Sequence, residues 1–151
     1  MSATIDWGGP YVAIATFCDR VLLEADGTVS LIRVIDSVTV TVAGEDPPDA
    51  MPPSQLDLVL ALQLRCGHAR SRDDIHLELE EPSGQSQIVS RMPVTFDGSH
   101  SGVQFTISVA FVVKQEGVHW VAVRLRKADT LLTRVPLRVV YQPIQHQPQS
   151  G

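Results

Sequence analysis

The chain has no asparagine, two cysteines, two lysines and few aromatic side chains (four Phe, two Tyr and two Trp) among its 151 residues. Each shortage excludes something. Without Asn there is no N-glycosylation acceptor. Cys18 and Cys66 are too few for the disulfide framework of a small secreted scaffold. Number allows one bridge between them; the simpler reading is two small buried hydrophobes. No apolar run approaches the ~20 residues of a membrane-spanning helix, so no membrane insertion is expected. A signal peptide would need a basic start and an apolar stretch. Here Asp6 comes early, and Gly8, Gly9 and Pro10 interrupt. Cytoplasmic location is the resulting expectation.

Reactive groups are equally sparse. His68, His76, His100, His119 and His146 are scattered. Cys66-Gly67-His68 offers two ligands where a zinc site usually needs three or four, so no metal is expected. Gly98-Ser99-His100-Ser101-Gly102 has the outline of a nucleophile elbow. His stands at its centre, however, and the strand–turn–helix context is missing. No glycine-rich phosphate cradle is present. With no nucleophile–base pair to nominate, neither an enzyme nor a cofactor is expected.

What the chain does have is alternation. In 103–113, Val-Gln-Phe-Thr-Ile-Ser-Val-Ala-Phe-Val-Val, every odd position is large and apolar. Successive strand side chains point to opposite faces, so this is a half-buried strand. Leu56, Leu58, Leu60, Leu62 and Leu64 repeat the pattern, as do Ile75, Leu77 and Leu79. Further strands are expected at 11–18, 29–42, 87–95, 118–126 and 131–140. Pro93 suits an edge for 87–95. Asp26-Gly27 and Pro82-Ser83-Gly84 mark turns. Residues 43–54 carry four prolines and read as a surface crossover loop, and 67–74 as a polar loop. Short connections at 114–117 and 127–130 suggest that the last three strands are antiparallel neighbours. About eight strands without a long helix predict one all-β domain over residues 1–141, an antiparallel β-sandwich, with a β-barrel as the alternative. Residues 142–151, rich in Gln and Pro, read as a loose tail.

Three positions stand out. Asp36 falls on the apolar face of 29–42, where an unpaired charge is costly. A bulge, a strand bend supplying backbone donors, or a ligand pocket would each account for it. His119 shares a face with Val121, Val123 and Leu125 and reads as a core or edge histidine. Trp120 lies on the opposite face with Arg124 and Arg126, and Arg134 and Arg138 should face the same way from the next strand.

Charge sharpens that last observation. The net charge of −5 argues against general nucleic-acid binding. Yet residues 117–151 hold five basic side chains against Asp129 alone, whereas residues 1–116 hold seven basic against sixteen acidic. Trp120, Arg124, Arg126, Arg134 and Arg138 are therefore the candidate surface for an acidic protein partner, with guanidinium pairing and indole stacking as the chemistry. A solvated exterior, or Arg stems lying over Trp120, would account for the same residues.

Two stretches carry a family likeness. One runs from Ala15-Thr16-Phe17-Cys18-Asp19 through Asp26-Gly27-Thr28-Val29-Ser30-Leu31-Ile32 to Ile35-Asp36. The other runs from Glu116-Gly117-Val118-His119-Trp120-Val121 to Pro136-Leu137-Arg138-Val139. Together they resemble a family of small, functionally uncharacterised bacterial proteins. The second stretch also resembles the closing hairpin of immunoglobulin-like sandwiches. The resemblance spans roughly residues 11–140 and implies a bacterial origin and an immunoglobulin-like sandwich. It supplies no activity and no catalytic residues. The functional expectation is a non-enzymatic interaction module, with self-association through an edge strand in view. The alternative is a small-ligand binder with a pocket near Asp36 or the 43–54 loop.

Overall fold

The computed structural model describes residues 8–99 and 102–148. His100 and Ser101 of the elbow-like turn, and the last three residues of the expected tail, lie outside these. Among the described residues there are nine strands and no helix. They are β1 (Tyr11–Leu23), β2 (Val29–Ile35), β3 (Ser37–Gly44), β4 (Ser54–Arg65), β5 (Arg70–Glu80), β6 (Ser86–Asp97), β7 (Gly102–Val113), β8 (Gly117–Leu125) and β9 (Thr130–Gln145).

These strands make two sheets. One has the order β2-β1-β4-β7 and the other β3-β9-β8-β5-β6. No ladder joins β2 to β3 or β6 to β7 among the described residues, so the sheets stay separate and do not close into one barrel. The inner faces enclose a single core. Phe17, Leu60, Leu62 and Leu64 of the first sheet and Ile75, Leu77, Leu79 and Leu137 of the second are fully buried. Each such side chain contributes about 1.5–3 kcal/mol before chain entropy opposes it.

The alternating leucines and the odd residues of 103–113 do share the core. They do so as neighbours within one sheet: β4 and β7 pair without a break from Ser54↔Val113 to Arg65↔Gly102. Leu60 lies beside Ile107 and Leu62 beside Phe105.

Five expectations need correcting. The predicted strand at 29–42 breaks at Asp36. β2 pairs with β1, and β3 crosses to the other sheet and pairs with β9. Apolar residues alternate on both sides of Asp36 with the same parity, so periodicity marked the anomaly without revealing a change of sheet.

The β3–β9 pair is parallel, so the sandwich is not wholly antiparallel. This pairing also orders part of the expected tail. It runs to Gly44↔Gln145, and the His146 amide then donates to the Gly44 carbonyl at 2.9 Å. Most of the polar loop at 67–74 joins β5, because strand pairing to β6 begins at Arg70↔Asp97.

Finally, β7 and β8 are not neighbours. The 114–117 connection jumps between sheets, which leaves β7 as an outer strand of the first sheet. The brevity of that connection limits how far the chain travels, not which sheet it enters. The β8–β9 link does close an antiparallel pair as expected, and β6 is the edge strand that Pro93 suggested.

Candidate functional site

Sheet pairing settles what shares a face with Trp120. Across β8–β9, Val118 stands opposite Arg138, Trp120 opposite Pro136, and Ala122 opposite Arg134. Across β5–β8, Glu80 stands opposite Trp120 and Glu78 opposite Ala122. One outward face therefore carries, from β9 through β8 to β5, Arg134, then Trp120 and Arg124, then Glu78 and Glu80.

The charges on this face are paired. Arg124 Nε lies 3.2 Å from Glu78 Oε2, and Arg134 Nη2 lies 2.5 Å from Glu80 Oε2. The Arg134 guanidinium also sits 4.4 Å from the centre of the Trp120 ring. That diagonal contact follows from register, since Arg134 is opposite the residue two beyond Trp120. A guanidinium over an indole adds about 0.5–1 kcal/mol at a partly exposed site. Ala122, small and overhung by longer neighbours, is wholly buried even though it points outward. An open cleft of about 620 Å³ lies over these residues. It is bordered by Glu81, Pro82, Gly84, Ser86 and Val118 together with the two ion pairs and Trp120.

Of the five residues that the sequence nominated, the structure gathers three: Trp120, Arg124 and Arg134. Arg138 borders them beside Val118 and is exposed. Arg126 lies past the end of β8, also exposed, with its amide donating to the Asp74 carbonyl at 2.9 Å. Neither Arg126 nor Arg138 has an ion-pair partner among the described residues. The expected row of four bare guanidinium groups thus becomes a row with two neutralised at its centre.

Sequence reasoning missed Glu78 and Glu80 as members. Their parity was readable, since they alternate with Leu77 and Leu79. What was unreadable is that β5, not a strand closer in sequence, lies beside β8.

A third missed residue supports the site from below. Asp73, only 6% exposed, holds the β8–β9 turn. Lys127 and Ala128 donate their amides to its two carboxylate oxygens at 2.7 and 3.1 Å, and Asp74 donates its own at 2.7 Å. Burial alone would raise the Asp73 pKa. The three amide donors and the Lys127 charge outweigh it and hold the carboxyl below its ordinary value. The clamp fixes the hairpin that carries both arginines.

The other nominated positions separate clearly. Asp36 is exposed at the crossing between sheets, and its carbonyl accepts the Arg138 amide at 3.0 Å. It borders neither the Trp120 cleft nor the groove between β6 and β7. His119 is fully buried, with Nδ1 3.3 Å from the Gly117 carbonyl oxygen and Nε2 unpartnered among the described residues. Cys18 and Cys66 are free, buried thiols. Burial and the adjacent Asp19 charge push the Cys18 thiol up, away from reactivity. No group of three or more metal-ligating side chains occurs among the described residues. No helix there is long and apolar enough to cross a membrane.

No family model and no curated protein matches the chain. Among solved structures, it is similar to a β-glucosidase from Listeria innocua at 12% identity and a TM-score of 0.40. That alignment covers 69% of this chain and 15% of the other, so the chain spans a small part of that neighbour's length. It is also similar to a superoxide reductase (neelaredoxin) from Ignicoccus hospitalis at 13% identity and a TM-score of 0.33, over 85% and 81% of the two chains. Both likenesses are too distant to carry an argument about function.

Proposed function

We propose that this chain is a cytoplasmic, non-enzymatic interaction module, an immunoglobulin-like member of the bacterial family that its sequence resembles. It receives an acidic protein partner on the β5–β8–β9 face. The observation that supports this most is the placement of Trp120. It is half-buried, held flat under Arg134, and open to a cleft at the centre of the face. Aromatic and Arg anchors of this kind dominate the energetics of protein interfaces. Arg138, opposite Val118, and Arg126, past the end of β8, lie at the two ends of this face without carboxylate partners among the described residues, and they supply the attraction for acidic groups. The paired Glu78 and Glu80 make the centre a polar docking surface, one that keeps its arginines extended and preorganised.

The test uses polyglutamate of defined length and the Trp7→Phe variant, so that emission reports on Trp120. Titration should change the Trp120 emission in a salt-dependent way. The exposed double reversal Arg126→Glu/Arg138→Glu should abolish the change while preserving thermal stability. No response, or an unaltered one in the reversal variant, would overturn the proposal.

The cleft favours one second reading. Its volume lies within the ~300–1,000 Å³ typical of small-ligand sites. A ligand site would thus lie at Trp120 instead of Asp36, and would suit a molecule bearing both an aromatic ring and mixed charge. Saturable binding of such a molecule, unaffected by Arg126→Glu/Arg138→Glu, would select this reading.

A further inference from the structure

The two sheets have four outer strands, and three of them are guarded. β2 is short and has Arg33 at φ 51°, tied to Asp19 by a 3.2 Å ion pair. β6 contains Arg91 and Pro93, and its ladder slips between Leu77 and Glu78 of β5. β3 is uncharged within its span but is flanked by Asp36 and Glu45. Antiparallel pairing with its own copy would set acid beside acid at both ends. The loop after β3 is also tied back, because Tyr141 Oη donates to the Pro48 carbonyl at 2.6 Å. Charges, prolines and irregularities of this kind are how natural sheets keep their edges from pairing.

β7 has none of these guards. Twelve residues, Gly102–Val113, pair with β4 in unbroken register, without a charged side chain or a proline. No described strand pairs with the opposite edge of β7. Along that edge, beside β6, opens a groove of about 510 Å³ lined by Ile88, Val89, Ala110, Phe111 and Val112, with Gln87 and Lys114 at its border. Ile88 and Val112 are about two-fifths exposed there, 42% and 41%.

The sequence of β7 is also compatible with itself. Antiparallel pairing about a two-fold axis at Ser108 sets Ser108 opposite its own copy. It also sets Ile107 opposite Val109, Thr106 opposite Ala110, and Phe105 opposite Phe111. Val103 meets Val113 as well; within 103–113 only Gln104 opposite Val112 is a mixed pair, and the rest match apolar with apolar or small with small. Lys114, the first charge beyond the strand, would meet Gly102 rather than another cation. We infer that a second copy of this chain adds to the β7 edge, antiparallel and centred on Ser108, to give a symmetric dimer with a continuous eight-stranded sheet. This surface is separate from the Trp120 face, and the inference does not depend on the function proposed for that face.

Sedimentation and cysteine cross-linking test it with the whole chain. The wild type should sediment as a concentration-dependent dimer. Ser108→Cys should form an intermolecular disulfide on mild oxidation, since residues paired across the axis lie within disulfide reach. Ala110→Cys, off the axis, should cross-link far less. All substituted positions are exposed, so the fold tolerates them. Thr106→Lys/Ala110→Lys brings like charges together in two pairs and should weaken association about tenfold or more. Thr106→Lys/Ala110→Glu brings opposite charges together and should restore it. A chain that stays monomeric at high concentration overturns the inference. So does a dimer that Thr106→Lys/Ala110→Lys leaves intact, or one in which Ala110→Cys links as readily as Ser108→Cys.

Discussion

The two sheets have similar inner faces and very different outer ones. Inside, both present closely packed Leu, Ile, Val and Phe. Outside, the five-stranded sheet carries Trp120 between ion pairs, while the β4–β7 half of the four-stranded sheet shows Asp57, Val59, Thr106, Ser108 and Ala110. The inner faces need the same thing, exclusion of water, so they converge. The outer faces are free of that demand, and each is left to specify its own contacts. Outer-face composition is therefore where the two sheets differ, and inner-face composition is where they agree.

The comparison can be broken in a definite order. Leu60→Ala and Leu137→Ala remove equivalent buried side chains from the two sheets. Each should cost about 2–5 kcal/mol in urea unfolding. A large difference between them would mean that the inner faces are not equivalent. Asp73→Ala removes the acceptor of three amides and should cost about 1–3 kcal/mol, mostly from the donors it leaves stranded. That loss belongs to the five-stranded sheet alone.

The same residue sets a pH dependence. Its folded pKa is depressed, so its stabilisation is fully present above the unfolded value, near about 4. It is lost as pH falls through the lower folded value. Asp73→Asn should flatten this acid limb of the stability profile. An unaltered limb would assign it to other carboxylates.

Smaller still, Glu78→Gln and Glu80→Gln should cost no more than about 1 kcal/mol each, because these pairs are partly exposed and salt screens them. High salt should erase the difference from wild type. Asp36→Ala should move stability least, within about 0.5 kcal/mol, since its exposed carboxylate is not what holds the crossing. A larger effect would show that the side chain, and not the backbone carbonyl, secures the passage between sheets.

Asp36 and Asp73 also show what could be read in advance. Both are acids at positions that match the apolar side of a strand. Alternation correctly marked Asp36 as anomalous, and the structure resolves the anomaly by ending one strand and starting another there. Asp73 has the same parity as Ile75, Leu77 and Leu79, but the strand was expected to begin after it, so the signal went unused.

Alternation reports which side of a sheet a residue faces. It carries no information about which strand lies beside it. That is why Trp120, Arg124 and Arg134 were legible as a group while Glu78 and Glu80 were not. It is also why 103–113 read as a neighbour of 118–126 when it lies in the other sheet, at an edge. Long-range register depends on the whole set of pairings at once, and neighbouring residues do not encode it.

The parallel pairing of β3 with β9 has a kinetic consequence. β3 is made early, yet among the described residues its only ladder partner is β9, the last strand. During synthesis its alternating Val and Thr residues must wait until nearly the whole domain has left the ribosome. Joining these distant segments closes a very long loop, a slow step by topology alone. The interval in which β3 stands unpaired is when the chain is most open to wrong partners. Asp36, Glu45 and Asp46 at its ends would repel the like ends of a second copy in that interval, as they do along the finished edge.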